Sequence, residues 1–355
     1  MKSIKELLEM VVKDNATDLH IVAGSPPMVR INGNLFQRSS EPLTPQQASN
    51  ICLSLMTEKH RKLFENRNEV DFGFGVTGLG RFRVNVFRQR GVVSAAVRRI
   101  PEEIPHFSKL GLPNIIQEIT NKANGLILVT GATGSGKSTT IASLLDKVNE
   151  EKQSHIVTIE DPIEYVHNHK KCIVNQREVG LDTENFETAM KYVLRQDPDY
   201  CLVGEMRDRE TAEMALKVSE TGHLVFATLH TNSAPDTISR IVAMFDEGRR
   251  EITLNQLSSV LQCILSQQLL PGLDGKLVLA YELLIPTSGI KALIREGKYY
   301  QLHGMMQVGQ ATSGMITMNQ CLMNLMIRRK IDMKVGFEAS PDPDDLNNML
   351  RKAGL

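Results

Sequence analysis

With 355 residues, 41% of them hydrophobic, the chain can bury two or three cores, yet no apolar run approaches the roughly 18 residues of a membrane span. Lys and Arg number 41 and Asp and Glu number 41, so bulk charge recruits neither nucleic acid nor an acidic membrane, although local basic clusters could. Cys52, Cys172, Cys201, Cys263 and Cys321 show no Cys-x-x-Cys spacing, which argues against a zinc clip or a disulfide framework and makes the cytoplasm the simplest location.

Residues 1–15 read as an amphipathic helix with Ile4, Leu7, Leu8, Val11 and Val12 on one face, and without the continuous apolar region of a signal peptide. Short strands are predicted at 19–22 and 28–31, with turns at Ser25-Pro26-Pro27 and Asn32-Gly33-Asn34. Residues 44–63 read as helical, broken near Thr57. Three further strands, 69–74, 81–88 and 92–99, are linked by Gly78-Leu79-Gly80 and Gln89-Arg90-Gly91. In the second of them Phe82, Val84 and Val86 share one face, and Arg81, Arg83, Asn85 and Phe87 the other. Residues 1–99 thus form a separate α/β unit. Pro101, Pro105 and Pro113 make 100–112 a linker, and 113–355 follow as a second domain.

In that second domain strands at 126–130, 155–159, 200–203 and 224–229 alternate with helices at 137–150, 186–195 and 209–221. This is the signature of a parallel sheet covered by helices, whose ligands bind beyond the carboxyl ends of the strands. After about Ser233 the pattern turns mostly helical. A long helix is predicted over 252–270, then a strand at 277–284, then short helices ending at 342–350.

Gly131-Ala132-Thr133-Gly134-Ser135-Gly136-Lys137-Ser138 fits the P-loop spacing, with an apolar strand before it and a helix from Thr139 after it. Its glycines let backbone N–H groups turn around phosphate oxygens, and the helix N-terminus adds partial positive charge. Lys137 offers a point charge to the β- and γ-phosphates, and Ser138 a hydroxyl ligand for Mg²⁺. Gly131, Thr133, Gly134, Ser135, Gly136, Lys137, Ser138 and Thr139 are the candidate nucleotide-binding residues.

Glu160, Asp161 and Glu164 lie within five residues at the end of the second core strand. They would repel one another unless a cation such as Mg²⁺–ATP sits among them, and a carboxylate there can orient or deprotonate an attacking water. Tyr200-Cys201-Leu202-Val203-Gly204-Glu205 looks like a modified Walker B strand, with Gly204 at the usual aspartate position and Glu205 left to reach the metal through water. Asp208 can cap the next helix. His223 and His230 bracket the fourth strand. His230 is placed to sense a γ-phosphate and His223 to lie at a subunit or domain boundary; a structural role stays open for both. Arg83 and Arg98, with Arg81 and Arg99, are either solvated charges or arginines delivered to a transition state by domain closure or a neighbouring subunit; Arg195 and Arg207 are further candidates.

Taken in order, GATGSGKSTT, TIEDPIEYVH, VNQREVG, LRQDPD, LVGEMRDRET and ETGHLVFATLHTNSA resemble the secretion ATPases of the type II/type IV pilus class over nearly the whole chain. Leu293-Ile294-Arg295-Glu296 matches the end of the signature associated with the retraction branch, while Gly289, Lys291 and Ala292 depart from it. The resemblance implies a PAS-like N-terminal α+β domain, a RecA-like ATPase domain with a helical C-terminal part, and a homohexamer with ATP and Mg²⁺ between the domains. It implies Glu164 as general base, Glu205 as Walker B glutamate, His223 and His230 as histidine-box residues, and Arg83 and Arg98 as phosphate sensors, in part across subunits. It further implies a motor at the cytoplasmic face of the inner membrane that turns a platform protein and, indirectly, returns pilins to the membrane, with no nucleic acid involved. The extra N-terminal domain and four-cysteine motif usual in extension-type relatives are not found in this sequence, which favours the retraction branch. An accessory or extension motor and a nucleotide-binding scaffold ring remain the alternatives.

Overall fold

The computed structural model describes residues 3–31, 33–101 and 103–354, the side chains of residues 310–312 excepted. The parts of the expected N-terminal helix, of the 32–34 turn and of the 100–112 linker that fall on Met1, Lys2, Asn32 and Glu102 lie outside the described residues. Two compact units are present: 1–103 with 162–166 and 178–182, and 104–161 with 167–177 and 183–355.

In the first unit β1 (Asp18–Ile21), β2 (Met28–Ile31), β3 (Asn34–Gln37), β4 (Glu69–Val76), β5 (Gly80–Gln89) and β6 (Val92–Arg99) form one antiparallel sheet in the order β3-β2-β1-β6-β5-β4. The period-2 pattern of β5 buries Phe82, Val84 and Val86 and leaves Arg83 exposed, as alternation in a half-wet sheet requires. All four residues of the edge strand β3 are exposed, so no apolar alternation marks it in the sequence. The N-terminal helix Ile4–Lys13 starts at a capping box of Ser3 and Glu6 and buries Leu7, Leu8 and Val11. The predicted helical stretch after Thr44 is two helices, Pro45–Ser54 and Glu58–Arg67, because the Thr57 side chain accepts from His60 N and so starts a new one.

In the second unit β7 (Gly125–Thr130), β8 (His155–Glu160), β9 (Ile173–Glu178), β10 (Tyr200–Val203), β11 (Leu224–Leu229), β12 (Leu261–Pro271) and β13 (Leu277–Leu284) make a sheet in the order β13-β12-β7-β11-β10-β8-β9. Strands β7, β11, β10 and β8 are mutually parallel. Every residue of β7, β10 and β11 is buried, which is why they read as unbroken apolar runs. Helices Lys137–Glu151, Phe186–Val193 and Arg209–Glu220 lie between them in the chain.

One expectation is corrected. The long helix predicted over 252–270 ends at Val260, and the chain continues as β12, parallel to β7 and antiparallel to β13. Leu254, Leu257, Leu261, Ile264 and Leu265 satisfy a helical period, but within 261–267 all residues except Gln262 are buried, as an interior strand demands. The turn from helix to strand is made at Leu261, at φ −59° and ψ 126°, without glycine or proline, so nothing punctuates it in the sequence. The part after Ser233 is mostly helical, as expected, but it adds β12 beside the predicted strand β13 before helices resume at Ser288–Arg295.

Candidate nucleotide-binding site

Because β7, β11, β10 and β8 run the same way, the segments leaving their carboxyl ends emerge along one edge of the sheet. In spatial order these are the glycine-rich loop after Thr130, His230 after Leu229, Glu205 after Val203, and Glu160–Asp161 at the end of β8. That edge is where open α/β sheets bind ligands.

The loop is built for close backbone approach. A Cβ at Gly131 would lie 2.3 Å from the Gln267 carbonyl oxygen and 2.6 Å from Ser135 Oγ. Gly136 precedes the helix Lys137–Glu151 at φ 88° and brings no capping side chain. The first-turn N–H groups of a fifteen-residue helix thus lack an N-cap side chain, leaving them to an anion. Ser135 Oγ is buried without a hydrogen-bond partner among the described residues. Lys137 is buried, and its ammonium donates to the carbonyl oxygens of Gly131 (2.8 Å) and Ala132 (3.0 Å). The lysine is thereby folded onto its own loop, and a phosphate oxygen is a stronger acceptor for it than either neutral carbonyl. Ala132, Thr133 and Gly134 are exposed, and Ser138 and Thr139 half-buried.

Glu205 joins two other predicted residues. Its carboxylate meets Arg207 at 2.7 Å and His230 Nε2 at 3.2 Å. Burial pushes the Glu205 carboxyl up, but the Arg207 guanidinium and the His230 ring more than offset it and hold it below the usual carboxylate range. The carboxylate is therefore ionised at neutral pH. The glycine before it has a steric reason: a Cβ at Gly204 would sit 3.0 Å from Ile159 O and 3.1 Å from Glu160 Cα, so an aspartate there would press on the neighbouring strand. Gly204 is also held at both ends, its N–H by Ile159 O and its carbonyl by Thr228 Oγ1.

Glu160 accepts from Thr158 Oγ1 (2.6 Å) and Gln176 Nε2 (3.1 Å), and Asp161 is exposed. No cluster of three acidic, histidine or cysteine groups able to hold a metal occurs among the described residues. Mg²⁺ does not need one, since it keeps several waters and takes its other ligands from phosphates; the half-buried Ser138 hydroxyl and the ionised Glu205 suit that arrangement.

Glu164, Arg83 and Arg98 belong to the first unit. Glu164 is exposed. Arg83 and Arg98 are cross-strand partners on β5 and β6. Arg83 pairs with Asp71 at 2.5 Å and Arg98 with Asp18 at 2.8 Å. Arg81, expected on the same exposed face, is instead largely covered by its 2.6 Å ion pair with the buried Glu178, which also accepts from the N–H groups of Gly73 and Ile163. Sequence reasoning missed Glu178, because its partners are more than 90 residues away for Arg81 and Gly73.

Elsewhere, His223 sits before β11, its Nδ1 beside Thr221 Oγ1 and Val218 O, and so at the opposite end of the strand from His230. Arg195 lies over the Tyr192 ring. Leu293, Ile294 and Arg295 are on the helix Ser288–Arg295, with Ile294 buried and Glu296 as its C-cap, bonded to Lys298. Two buried groups carry no motif signal. Gln267 on β12 donates to Ser135 O, and Glu282 on β13 accepts from the first N–H of two helices, at Ala234 and Met318. Burial holds the Glu282 carboxyl above its usual range despite those two bonds. The five cysteines are buried free thiols, and no described helix is long and apolar enough to cross a membrane.

The family described as Type II/IV secretion system protein matches residues 1–331. The type IV pilus retraction ATPase PilT of Pseudomonas aeruginosa is 44% identical over 96% of this chain and 99% of its own. The type IV pilus ATPase PilU of the same organism is 40% identical over 98% of this chain and 91% of its own. A crystal structure of the pilus retraction motor PilT with bound ADP superposes with a TM-score of 0.92, at 52% identity, covering 98% of this chain and 100% of that one. The chain belongs to the type II/IV secretion system protein family.

Proposed function

We propose that this chain is a motor ATPase that hydrolyses ATP to drive type IV pilus retraction. The reading rests above all on one observation: an uncapped helix N-terminus behind a glycine loop lies on the same sheet edge as an ionised Glu205 and His230. The full-length likeness to a retraction ATPase supplies the biological context.

In this reading residues 131–139 hold the triphosphate, and Lys137 exchanges its two loop carbonyls for phosphate oxygens. Ser138, Glu205, Glu160 and Asp161 would hold Mg²⁺, which would supply charge neutralisation for the phosphates. Glu164 takes a proton from the water that attacks the γ-phosphorus, while the bridging oxygen leaves with ADP. His230 senses the γ-phosphate through Glu205. Arg83 and Arg98 reach the nucleotide when residues 1–99 and 113–355 close across the 100–112 linker, in part from a neighbouring subunit, and His223 lies at such a boundary. Arg195 and Arg207 support the acidic segments. Six copies form a ring in the cytoplasm, at the inner-membrane face, and the helix carrying Leu293, Ile294, Arg295 and Glu296 conveys closure to a platform protein and so to pilins. The near-equal likeness to PilU favours one second reading, an accessory motor of the same machine.

Deleting the gene from its own host distinguishes these. Excess pili without twitching is the expected result. Loss of pili would overturn the retraction reading, and unchanged retraction beside a second intact motor would favour the accessory one.

A further inference from the structure

Gln267 lies on β12, one residue beyond Ser266, whose Cα pairs with Thr130 at the end of β7. It is 1% exposed and touches the glycine loop at both of its ends. At the start its carbonyl oxygen occupies the space a side chain at Gly131 would need. At the finish its side-chain Nε2 donates to Ser135 O at 2.8 Å, a bond fully buried and 132 residues distant in sequence. A Cβ at Gly136 would lie 3.3 Å from the same nitrogen.

A trans peptide is planar, with its C=O and N–H on opposite sides. Anchoring Ser135 O on β12 therefore turns the Gly136 N–H away from β12. Gly136, at φ 88°, has no Cβ to resist rotation of that peptide, so an external group must set its direction. Gln267 Nε2, bonded to the Ser135 carbonyl, is placed to do so. Gln267 Oε1 and Ser135 Oγ are buried without partners among the described residues, the kind of unfavourable polar burial that is retained at functional sites.

We propose that Gln267 is a positioning residue of the nucleotide site. It fixes the Ser135–Gly136 peptide so that the Gly136 N–H is presented to a bound phosphate. This rests on the nucleotide-binding reading above and adds a determinant outside the glycine-rich motif.

The test uses the full chain and Mg²⁺–ADP as probe, with calorimetric affinity, melting temperature without nucleotide, and steady-state ATP hydrolysis. Gln267→Met keeps the length and loses the donor. Gln267→Glu sets a carboxylate against the Ser135 carbonyl and turns the peptide over. Both are expected to fold, Gln267→Glu melting lower because it buries a carboxylate, and both to bind Mg²⁺–ADP roughly tenfold more weakly, with KM rising more than kcat falls, Gln267→Glu being the worse. Should Gln267→Met not fold, Gln267→Asn, one methylene short of Ser135, carries the same expectation. Wild-type binding with variant affinities within twofold of it would overturn the positioning role alone, as would a fall in kcat at unchanged affinity. A wild-type chain that binds no Mg²⁺–ADP would overturn the nucleotide reading and this role together.

Discussion

The two sheets use charge in opposite ways. The six-stranded sheet of the first unit is wet on one face and displays ion pairs there, Arg83 with Asp71 and Arg98 with Asp18. In the seven-stranded sheet β7, β10 and β11 are buried throughout, and its charged site residues gather where strands end. A charged side chain in the middle of one of these three dry strands would be desolvated without reward, so their charged site residues sit beyond the strand ends. The wet face has no such restriction, and its arginines are held by partners that could be exchanged for a ligand.

The largest effect expected on this contrast is at Glu164. Glu164→Gln should retain nucleotide binding and lose roughly 10²–10⁴-fold in turnover, the contribution typical of a general base; a wild-type rate of phosphate release would return this exposed glutamate to the solvent. Next come the cores. Phe82 and Phe226 are both fully buried, one in each unit, and truncating either to Ala should cost about 3–5 kcal/mol in denaturant unfolding. A negligible cost at Phe82 would mean that the first unit's wet sheet lacks a core of its own.

Burial separates legible from illegible in the same way. β7 and β11 announce themselves as unbroken apolar runs and β5 by alternation, so the sheets, the glycine loop and the residues at the strand ends could be read directly. β3 could not, because an exposed edge strand has no apolar face. β12 could not, because an interior strand that follows a helix without glycine or proline keeps the helix's apolar period. The pairing of Glu205 with His230 and the anchoring of Ser135 by Gln267 depend on chain segments 25 and 132 residues apart, and no local pattern encodes them. Gly204 was visible as a departure, but its cause, the closeness of Ile159 and Glu160, was not.

His167 offers a smaller effect in the second unit. Burial holds its imidazole down at about 4, against 6.5 when unfolded. A depressed histidine favours the folded state above the unfolded value and loses that contribution as pH falls from 6.5 towards 4. The loss amounts to about 3 kcal/mol. His167→Leu should flatten that limb of an acid-denaturation curve; an unchanged limb would place the dependence on other groups. The smallest effects belong to the wet sheet. Arg83 and Arg98 are 43% and 69% exposed, so Arg83→Ala and Arg98→Ala should each cost under about 1 kcal/mol of stability. Turnover lost by these variants at intact stability would belong to the reaction, and full turnover in both would leave them as solvated charges.

Phosphate release from Mg²⁺–ATP by the purified chain, set beside Lys137→Ala, probes the central claim most directly. The wild type is expected to turn over, and removal of the one ammonium on the glycine loop to lower the rate by roughly 10²–10³-fold while the fold persists. Equal rates in the two proteins would contradict the assignment of this loop as the place where the triphosphate is held and split.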